Sequence, residues 1–500
     1  MLPKVKSIKH LVYWGIFAFL AILIRGYGYG LGDQVLHLPL LYRLEDANLY
    51  PTDSLFPLIF SHVTPFIRLV VFLNQTVFKD YFTTYFVFYF LGSWLFFLGL
   101  YKLTYLITDD KTAALLSGWF FILPLHIGGT ALTTVETTFV PRHLTNFFLI
   151  LSLVALLQKK YLRLFFINAV ILLIHPITAV LLFIATTFCI LVLDKQRFFL
   201  TLLKGIGIML LISISFLPDF IRAVPASRLP LLMPESWLEI IKLRNTYAFP
   251  LLWTFKGWLS LILLLIPIAG YLGWKKHTGR NFNYADKVSL FLLVGAAFIF
   301  VGQILFTSLL PLTWMIPLQL GRVWQIPATL SLIYLAWILS KMVKRFSLTQ
   351  TQLGLLLIGF LLIAYFVKDK VWYQHQSSEW IETQRWAQRH TSEDCTFLVD
   401  FYSQGFRVFS QRAIVGEYKD GTLAFYSSEF AQDWYQKYNL FGDTKTHRYM
   451  NNLDKIYANY PFSFVVSGIS ITANLPPIYK NKNYGIYEMP IKEKGCSLRV

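Results

Sequence analysis

Acidic and imidazole side chains occur together in the segment 25–56, which follows the first apolar run of the chain. Asp33 precedes His37 by four residues, and helical spacing places both side chains on one face. A carboxylate beside an imidazole is suited to general-base catalysis or to holding a divalent cation. Asp33 is also suited to capping a helix that begins at Gln34, because aspartate is a preferred N-cap residue. The residues alone leave both roles open.

A second polar segment, 128–142, carries Glu136 and Arg142 between apolar runs. Glu136 is a candidate second catalytic carboxylate, or a second metal ligand with Asp33. Arg142 is suited to clamping a phosphate, because a guanidinium offers paired donors to two oxygens. The alternative for Arg142 is snorkelling, in which the charged head only reaches the headgroup region.

Three further polar residues, His175, Gln319 and Arg322, lie at the edges of apolar runs. Pro176 predicts a helix start directly after His175, and a hydrogen-bonded core histidine is the alternative to a functional one. Arg322, with Gln319 one turn before it, is suited to a lipid-linked phosphate or pyrophosphate, with snorkelling again the alternative. We therefore assign a substrate-binding role, as a hypothesis, to His37, Arg142, His175, Gln319 and Arg322.

The composition shows what must position these residues. Of the 500 residues, 56% are hydrophobic and 14% charged, against about 25% charged in ordinary soluble domains. The formal charge of +18 comes from short basic runs between apolar stretches, not from one basic tract. The sequence therefore predicts a membrane protein in contact with lipid and gives no indication of nucleic-acid binding.

Apolar runs predict a polytopic α-helical membrane protein with about eleven spans. Lys and Arg are enriched in the loops that become cytoplasmic when the N-terminus is inside, so the bias predicts an N-in/C-out topology. The run 57–78 is interrupted by polar residues, and crossing there would reverse the bias, so an interfacial helix is expected. The predicted spans are 11–24, 81–106, 112–127, 143–158, 161–174, 175–193, 198–217, 251–273, 287–309, 323–340 and 352–367.

Two domains are predicted: a transmembrane domain, 1–368, with a long first outer loop at 25–80, and a small extracytoplasmic α/β domain, 369–500. Alternating apolar residues predict strands at 396–401, 413–418, 463–471 and 484–489. The spacing of Trp380, Thr383 and Ala387 predicts an amphipathic helix over 377–390. Cys395 and Cys496 both fall in this C-terminal domain, where one disulfide is possible.

Four stretches carry a resemblance to a known family. The layout of a first span, a long outer loop with an early acid, later outer acids and arginines, and an outer C-terminal domain resembles the GT-C-type glycosyltransferases. More narrowly, the chain resembles a group of uncharacterised prokaryotic membrane proteins related to that superfamily. The stretches are GDQVLHLPLLYRLEDANLYPTD (32–53), VETTFVPRHL (135–144), LLIHPITAV (172–180) and WAQRHTSEDCTFLVDFYSQGFRVFSQR (386–412).

The resemblance implies an enzyme that uses a polyprenyl-phosphate-linked sugar outside the cytoplasm, in a prokaryotic plasma membrane and cell envelope. It implies a catalytic or metal-binding role for Asp33, a supporting acid at Glu136, and a phosphate contact at Arg142 or Arg322. Many relatives carry adjacent acids at the position of Asp33, whereas Gln34 follows it here. The departure leaves a divalent cation (Mg or Mn) an open question and makes Glu45-Asp46 a rival for the motif.

The sequence thus favours a membrane glycosyltransferase that moves a sugar from a polyprenyl-phosphate donor to an acceptor on the extracytoplasmic side. The alternative is a transporter or flippase for an amphiphilic or lipid-linked substrate, whose polar groups would reach both membrane halves. A third class is a scaffold for envelope assembly. The chain has no GxxxxGK[ST], HExxH or GxSxG motif, so the sequence does not support ATP-driven transport, zinc proteolysis or serine hydrolysis.

Overall fold

A computed structural model describes residues 8–214, 230–347 and 376–499, apart from 443–449, 451, 469–475 and 491–494. It also describes residues 352, 359, 362, 373 and 374. The predicted span 352–367 therefore lies almost wholly outside the described residues. The region before it is helical, and the region after it is a small mixed α/β domain, here called the C-terminal domain.

Six helical segments of the described chain are long and apolar enough to cross a membrane, which makes this an integral membrane protein. Shorter apolar helices lie between them, at Pro65–Phe78, Pro141–Leu157, Tyr161–Ile174 and Phe198–Ser213. The six long segments are Ile8–Arg25, Tyr81–Thr108, Pro176–Leu193, Phe255–His277, Tyr284–Leu309 and Ile316–Arg345.

Phe198–Ser213 is the apolar part of the helix Lys195–Ser213. The other described α-helices are Gln34–Glu45, Phe56–Ile59, Lys111–Phe120, Glu235–Arg244, Ser378–His390, Phe406–Ser410, Ser428–Phe441 and Leu453–Asn459, and a 3₁₀ segment lies at Tyr418–Phe425. The prediction for 112–127 was wrong in length, because the helix ends at Phe120. Pro124 and the pair Gly128-Gly129 follow, and neither proline nor consecutive glycines favour a continuing helix.

The region 57–78 is broken into short pieces. A turn of helix at Phe56–Ile59 precedes the helix Pro65–Leu73, whose first residue is a proline and whose N-cap is Thr64. Leu69, Phe72 and Val77 are exposed along Pro65–Phe78. This segment is one of the shorter apolar helices, and its place on the outer membrane surface stays a prediction.

A buried arginine fixes the end of the first helix against the loop that carries Glu136. Arg25 is 1% exposed, and its guanidinium donates to Tyr89 Oη and Ser93 Oγ, each at 2.7 Å. Tyr89 Oη in turn donates to the backbone carbonyl of Glu136 at 2.6 Å. The chain then runs from Arg25 into Tyr27–Gly28, which pairs in parallel with Tyr373–Gln374. The first outer loop is thereby held against both the membrane helices and the C-terminal domain.

The C-terminal domain contains a five-stranded mixed sheet, in agreement with the α/β domain predicted from the sequence. Its order is Ala413–Ile414, Thr396–Leu398, Phe464–Gly468, Tyr484–Glu488 and Pro477–Lys480, with the first three parallel. All four predicted strands form; those at 396–401, 413–418 and 484–489 are shorter than predicted, and residues 469–471 of the strand at 463–471 lie outside the described residues. Pro477–Lys480 was not predicted. The helix Ser378–His390 also forms, and Cys395 and Cys496 are joined by a disulfide.

Arg407 connects this domain to the first outer loop. Its side chain is 1% exposed and makes paired contacts with Asp53, at 2.7 and 3.0 Å, and with Asp420, at 2.8 and 2.9 Å. Arg412 is likewise buried, and donates to the carbonyls of Gln388 and Thr391. Both arginines are buried and paired inside the protein, which gives them a structural role.

We expect Arg407→Leu to lower the free energy of unfolding of the C-terminal domain by about 3–5 kcal/mol, because buried carboxylates would lose their cation. Thermal unfolding of the purified protein, followed by the tryptophan signal, measures this loss. Arg389→Leu is a suitable control, because Arg389 is an exposed arginine of the same domain. Equal stability of the two variants would contradict the role given to Arg407.

Candidate functional site

A cavity of about 520 Å³ lies between the ends of the membrane helices and the C-terminal domain. Six of the seven residues that the sequence singled out line it: Asp33, His37, Arg142, His175, Gln319 and Arg322. The seventh, Glu136, lies behind Arg142. Residues separated by hundreds of positions in the chain thus meet at one site.

Asp33 occupies the N-cap position of the helix Gln34–Glu45, yet its side chain makes no capping hydrogen bond. Its Oδ1 accepts from Lys419 Nζ at 2.7 Å, and its Oδ2 lies 3.6 Å from Arg142 Nη2. The capping role is therefore wrong for the side chain. Burial raises the pKa of Asp33, but Lys419 and Arg142 outweigh burial and hold the pKa well below its ordinary value. Asp33 is an anion at neutral pH.

Arg142 is shared between two carboxylates. It is the second residue of the helix Pro141–Leu157, and its Nε donates to Glu136 Oε1 at 2.7 Å. Its Nη2 faces Asp33. The side chains of Arg142 and Glu136 are 11% and 14% exposed. Arg142 therefore makes directed ion pairs beside the cavity, and snorkelling does not describe it.

The donor set around Asp33 and Glu136 does not fit a divalent cation. Both carboxylates face Arg142, whose positive charge occupies the place between them. Among the described residues, no group of three or more His, Cys, Asp and Glu side chains is placed to hold a metal ion. Here arginine and lysine, and not a metal, neutralise the two carboxylates.

His175 joins the helices Tyr161–Ile174 and Pro176–Leu193 and caps the second. Its Nδ1 accepts the backbone N–H of Thr178 at 3.3 Å and lies 2.9 Å from Thr178 Oγ1. Because Nδ1 accepts a hydrogen bond, the neutral ring carries its proton on Nε2. His175 thus satisfies a helix terminus, as a core histidine would, and also presents a polar ring to the cavity. Helix N-termini favour anions.

Arg322 lies in the 3₁₀ turn Leu320–Trp324, directly before the helix Gln325–Arg345. The centre of its guanidinium lies 5.7 Å from the Tyr247 ring centroid. Its Nε is buried without a hydrogen-bond partner, as is Gln319 Oε1, and no carboxylate pairs with Arg322 among the described residues. Arg322 is partly buried, and a cation held there without an anion is unfavourable unless a ligand supplies one.

The phosphate-binding candidates converge on one end of the cavity. Arg142 and Arg322 line the main cavity and, with Thr178, also a separate small cavity of about 20 Å³, so the two side chains lie close together beside the first turn of Pro176–Leu193. Donors from two neighbouring arginines suit a phosphate group.

Several lining residues were not identified from the sequence. Lys419 and Tyr426 come from the C-terminal domain, which the sequence predicts as a separate unit. Arg244 ends the helix Glu235–Arg244, and Tyr247 follows it, before the long apolar helix Phe255–His277. No local pattern marks them, because their proximity depends on tertiary packing. His62 also lines the cavity, 4.4 Å from the Tyr426 ring centroid, and burial lowers its pKa to about 4.

The cavity combines a positive excess with an apolar wall. Four cations, Arg142, Arg244, Arg322 and Lys419, line it, against Asp33 in the lining and Glu136 behind Arg142. Four positive charges less two negative charges leave an excess of two. The burial of His37 lowers its pKa, so this histidine is neutral and adds no charge. The apolar lining includes Leu36, Leu40, Ile67, Ile174, Ile177, Val180 and Leu318. Such a site suits an amphiphile with an anionic headgroup.

We expect the stability of the C-terminal domain to fall as the pH rises from about 4.5 to about 8. Burial and the neighbouring Asp420 raise the pKa of Glu417 from 4.5 to about 8, so the folded state holds a proton that the unfolded state releases. A raised carboxyl pKa gives stability at low pH that is lost as the pH rises. Unfolding free energies across this range check the trend, and Glu417→Gln should flatten it.

Comparisons with known proteins give no assigned function. A family profile described as a domain of unknown function (DUF6798) matches residues 378–441. No curated protein matches the chain. The matched stretch contains the helix Ser378–His390, Arg407 and Lys419, and therefore includes the part of the C-terminal domain that borders the cavity.

Proposed function

We propose that this protein is a membrane glycosyltransferase that moves a sugar from a polyprenyl-phosphate donor to an acceptor on the extracytoplasmic side. The observation that carries the proposal is the convergence of Asp33 with the unpaired Arg322 in one cavity with an apolar wall. Arg142 and Arg322 can bind the donor phosphate, and the apolar wall can hold the first isoprenyl units. Asp33 can accept the proton of the acceptor hydroxyl.

The topology of about eleven spans with the N-terminus inside is part of this proposal. It places the cavity and the C-terminal domain outside the cytoplasm, consistent with the Lys and Arg bias. The Cys395–Cys496 disulfide supports the same side, because disulfides persist in oxidising compartments. A prokaryotic plasma membrane is the setting that the family resemblance implies.

The reaction follows from the arrangement of charges. Asp33 takes the proton from the acceptor hydroxyl as its oxygen bonds to the anomeric carbon. The bond between that carbon and the donor phosphate oxygen breaks, and its electron pair stays on the phosphate. Arg322, Arg142 and the Nε2–H of His175 are placed to stabilise the charge that develops there. Glu136 is a positioning residue, because it contacts Arg142 and not the cavity.

The positive excess fits the product better than the substrate. A sugar phosphodiester carries one negative charge, and the departing polyprenyl phosphate carries about 1.5–2 at neutral pH, as other phosphate monoesters do. A cavity with an excess of two positive charges therefore binds the leaving group more strongly as the reaction proceeds. Interactions that strengthen towards the transition state accelerate the chemical step.

Transfer by the purified protein in proteoliposomes tests the proposal. The expected result is release of polyprenyl phosphate and movement of label from a radiolabelled polyprenyl-phosphate sugar to an acceptor in an envelope extract. Unchanged donor on the opposite leaflet would instead indicate a flippase. Neither transfer nor translocation with any tested donor would indicate a scaffold and refute the proposal.

A further inference from the structure

Lys419 reaches the cavity from the C-terminal domain and contacts the proposed base directly. Its Nζ lies 2.7 Å from Asp33 Oδ1, although the two residues are 386 positions apart in the chain. The Lys419 side chain is 17% exposed. The C-terminal domain is therefore in contact with the group that would accept the proton.

The 3₁₀ segment that carries Lys419, Tyr418–Phe425, is held on two sides. On one side Arg244, the last residue of the helix Glu235–Arg244, donates to the Tyr418 carbonyl at 2.8 Å and to Thr422 Oγ1 at 2.9 Å. On the other side, Arg407 binds Asp420 through two hydrogen bonds. Lys419 is thus presented from a braced backbone, and its four-carbon stem leaves the ammonium free to choose between nearby anions.

Asp33 has two cationic partners, Lys419 and Arg142. A carboxylate so paired is a weak proton acceptor, because protonation would discard both ion pairs. A phosphate competes for the same donors, since it offers more charge and three acceptor oxygens. When the phosphate binds Lys419, Asp33 loses one of its two cationic partners and gains a negatively charged neighbour. Both changes make Asp33 more basic.

We propose that Lys419 is a substrate ligand that passes from Asp33 to the donor phosphate, so that the carboxylate becomes an effective base only when the cavity is occupied. The inference rests on the proposed function. It adds a substrate-contacting residue from the C-terminal domain and a reason why the proposed base lies in an ion pair. The pairing also restrains Asp33 from reacting with water or other hydroxyls before the donor arrives.

Binding to the full-length protein in detergent tests this competition, with farnesyl phosphate as a short polyprenyl phosphate probe. Farnesol and inorganic phosphate are measured alongside, to separate the lipid and the phosphate contributions. Lys419→Met is expected to weaken farnesyl phosphate binding about tenfold, as loss of one charge-assisted contact would. Asp33→Asn is expected to tighten it about tenfold, because the competing anion is gone.

The opposite signs of these two effects distinguish a competing pair from a structural ion pair. A structural pair would give unchanged or weaker binding in both variants, and that result would overturn the inference. Asp33→Asn supplies an independent test if Lys419→Met fails to fold, and Lys419→Arg should bind as the wild type does.

Lys437→Met is the matched control, because Lys437 also joins the C-terminal domain to the first outer loop, 2.8 Å from Ser54 Oγ, without lining the cavity. It should bind farnesyl phosphate normally, and an equal loss there would assign the effect of Lys419 to domain anchoring. If the wild type shows no preference for farnesyl phosphate over farnesol, the proposed function itself fails, and the inference fails with it.

Discussion

Asp33→Asn is expected to lower sugar transfer by about 10²–10⁴-fold while the protein still inserts and folds, because asparagine cannot accept the acceptor proton. The fold should tolerate the change, since the Asp33 side chain makes no capping bond and is 35% exposed. Initial transfer rates at saturating donor, with size-exclusion profiles of both proteins, measure the two parts of this expectation.

Asp46→Asn is the matched control for this variant. Asp46 ends the helix that Asp33 begins, and its Oδ1 accepts the backbone N–H of Asn48, a bond that asparagine can also accept. It does not line the cavity. Transfer near the wild-type rate in Asp33→Asn, or an equal loss in Asp46→Asn, would end the assignment of Asp33 and revive the rival pair Glu45-Asp46.

Arg322→Met is expected to lower transfer by about 10²–10³-fold and leave the empty protein at least as stable as the wild type. The first effect follows from losing a donor to the developing phosphate charge. The second follows because methionine removes a partly buried cation whose Nε is buried without a hydrogen-bond partner and which has no carboxylate partner among the described residues. Transfer rates and thermal unfolding of the same samples measure both effects.

Arg412→Met is expected to show the opposite result, a loss of stability without a loss of transfer. Arg412 is also a buried arginine, but its donors are satisfied by backbone carbonyls and by Thr391. Its loss should lower stability by about 2–4 kcal/mol, while transfer per folded molecule stays near normal. Should Arg322→Met instead destabilise the protein as much as Arg412→Met, Arg322 would be a structural residue, and the phosphate site would lose its central donor.

Local patterns in the sequence were sufficient to predict helices whose formation depends mainly on neighbouring residues in the chain. The apolar run 161–174 became the helix Tyr161–Ile174 at its predicted bounds, and the amphipathic spacing over 377–390 gave the helix Ser378–His390. The run 112–127 was overestimated, because its apolar composition hides the break that precedes Pro124. Hydropathy measures solubility in lipid, and it does not register where a helix ends.

In the candidate site, too, some residues could be recognised from the sequence and others only from the fold. Asp33, Arg142 and Arg322 were recognisable because a charge beside an apolar run is costly without a reason. The sequence could not show that Lys419 pairs with Asp33, since that contact depends on how the C-terminal domain packs on the first outer loop. It also could not separate a cap from a base at Asp33. The side-chain contacts of Asp33 exclude the cap, because its oxygens face Lys419 and Arg142, and the role as base stays a proposal.

The most direct test is the structure of the full-length protein with farnesyl phosphate bound. The account predicts a phosphate within about 3 Å of the Arg322 guanidinium and close to Arg142, with the isoprenyl chain along the apolar wall and Lys419 turned from Asp33 towards the phosphate. A phosphate bound elsewhere, with Arg322 still unpaired and the Asp33–Lys419 contact unchanged, would contradict the claim that this cavity is the donor site.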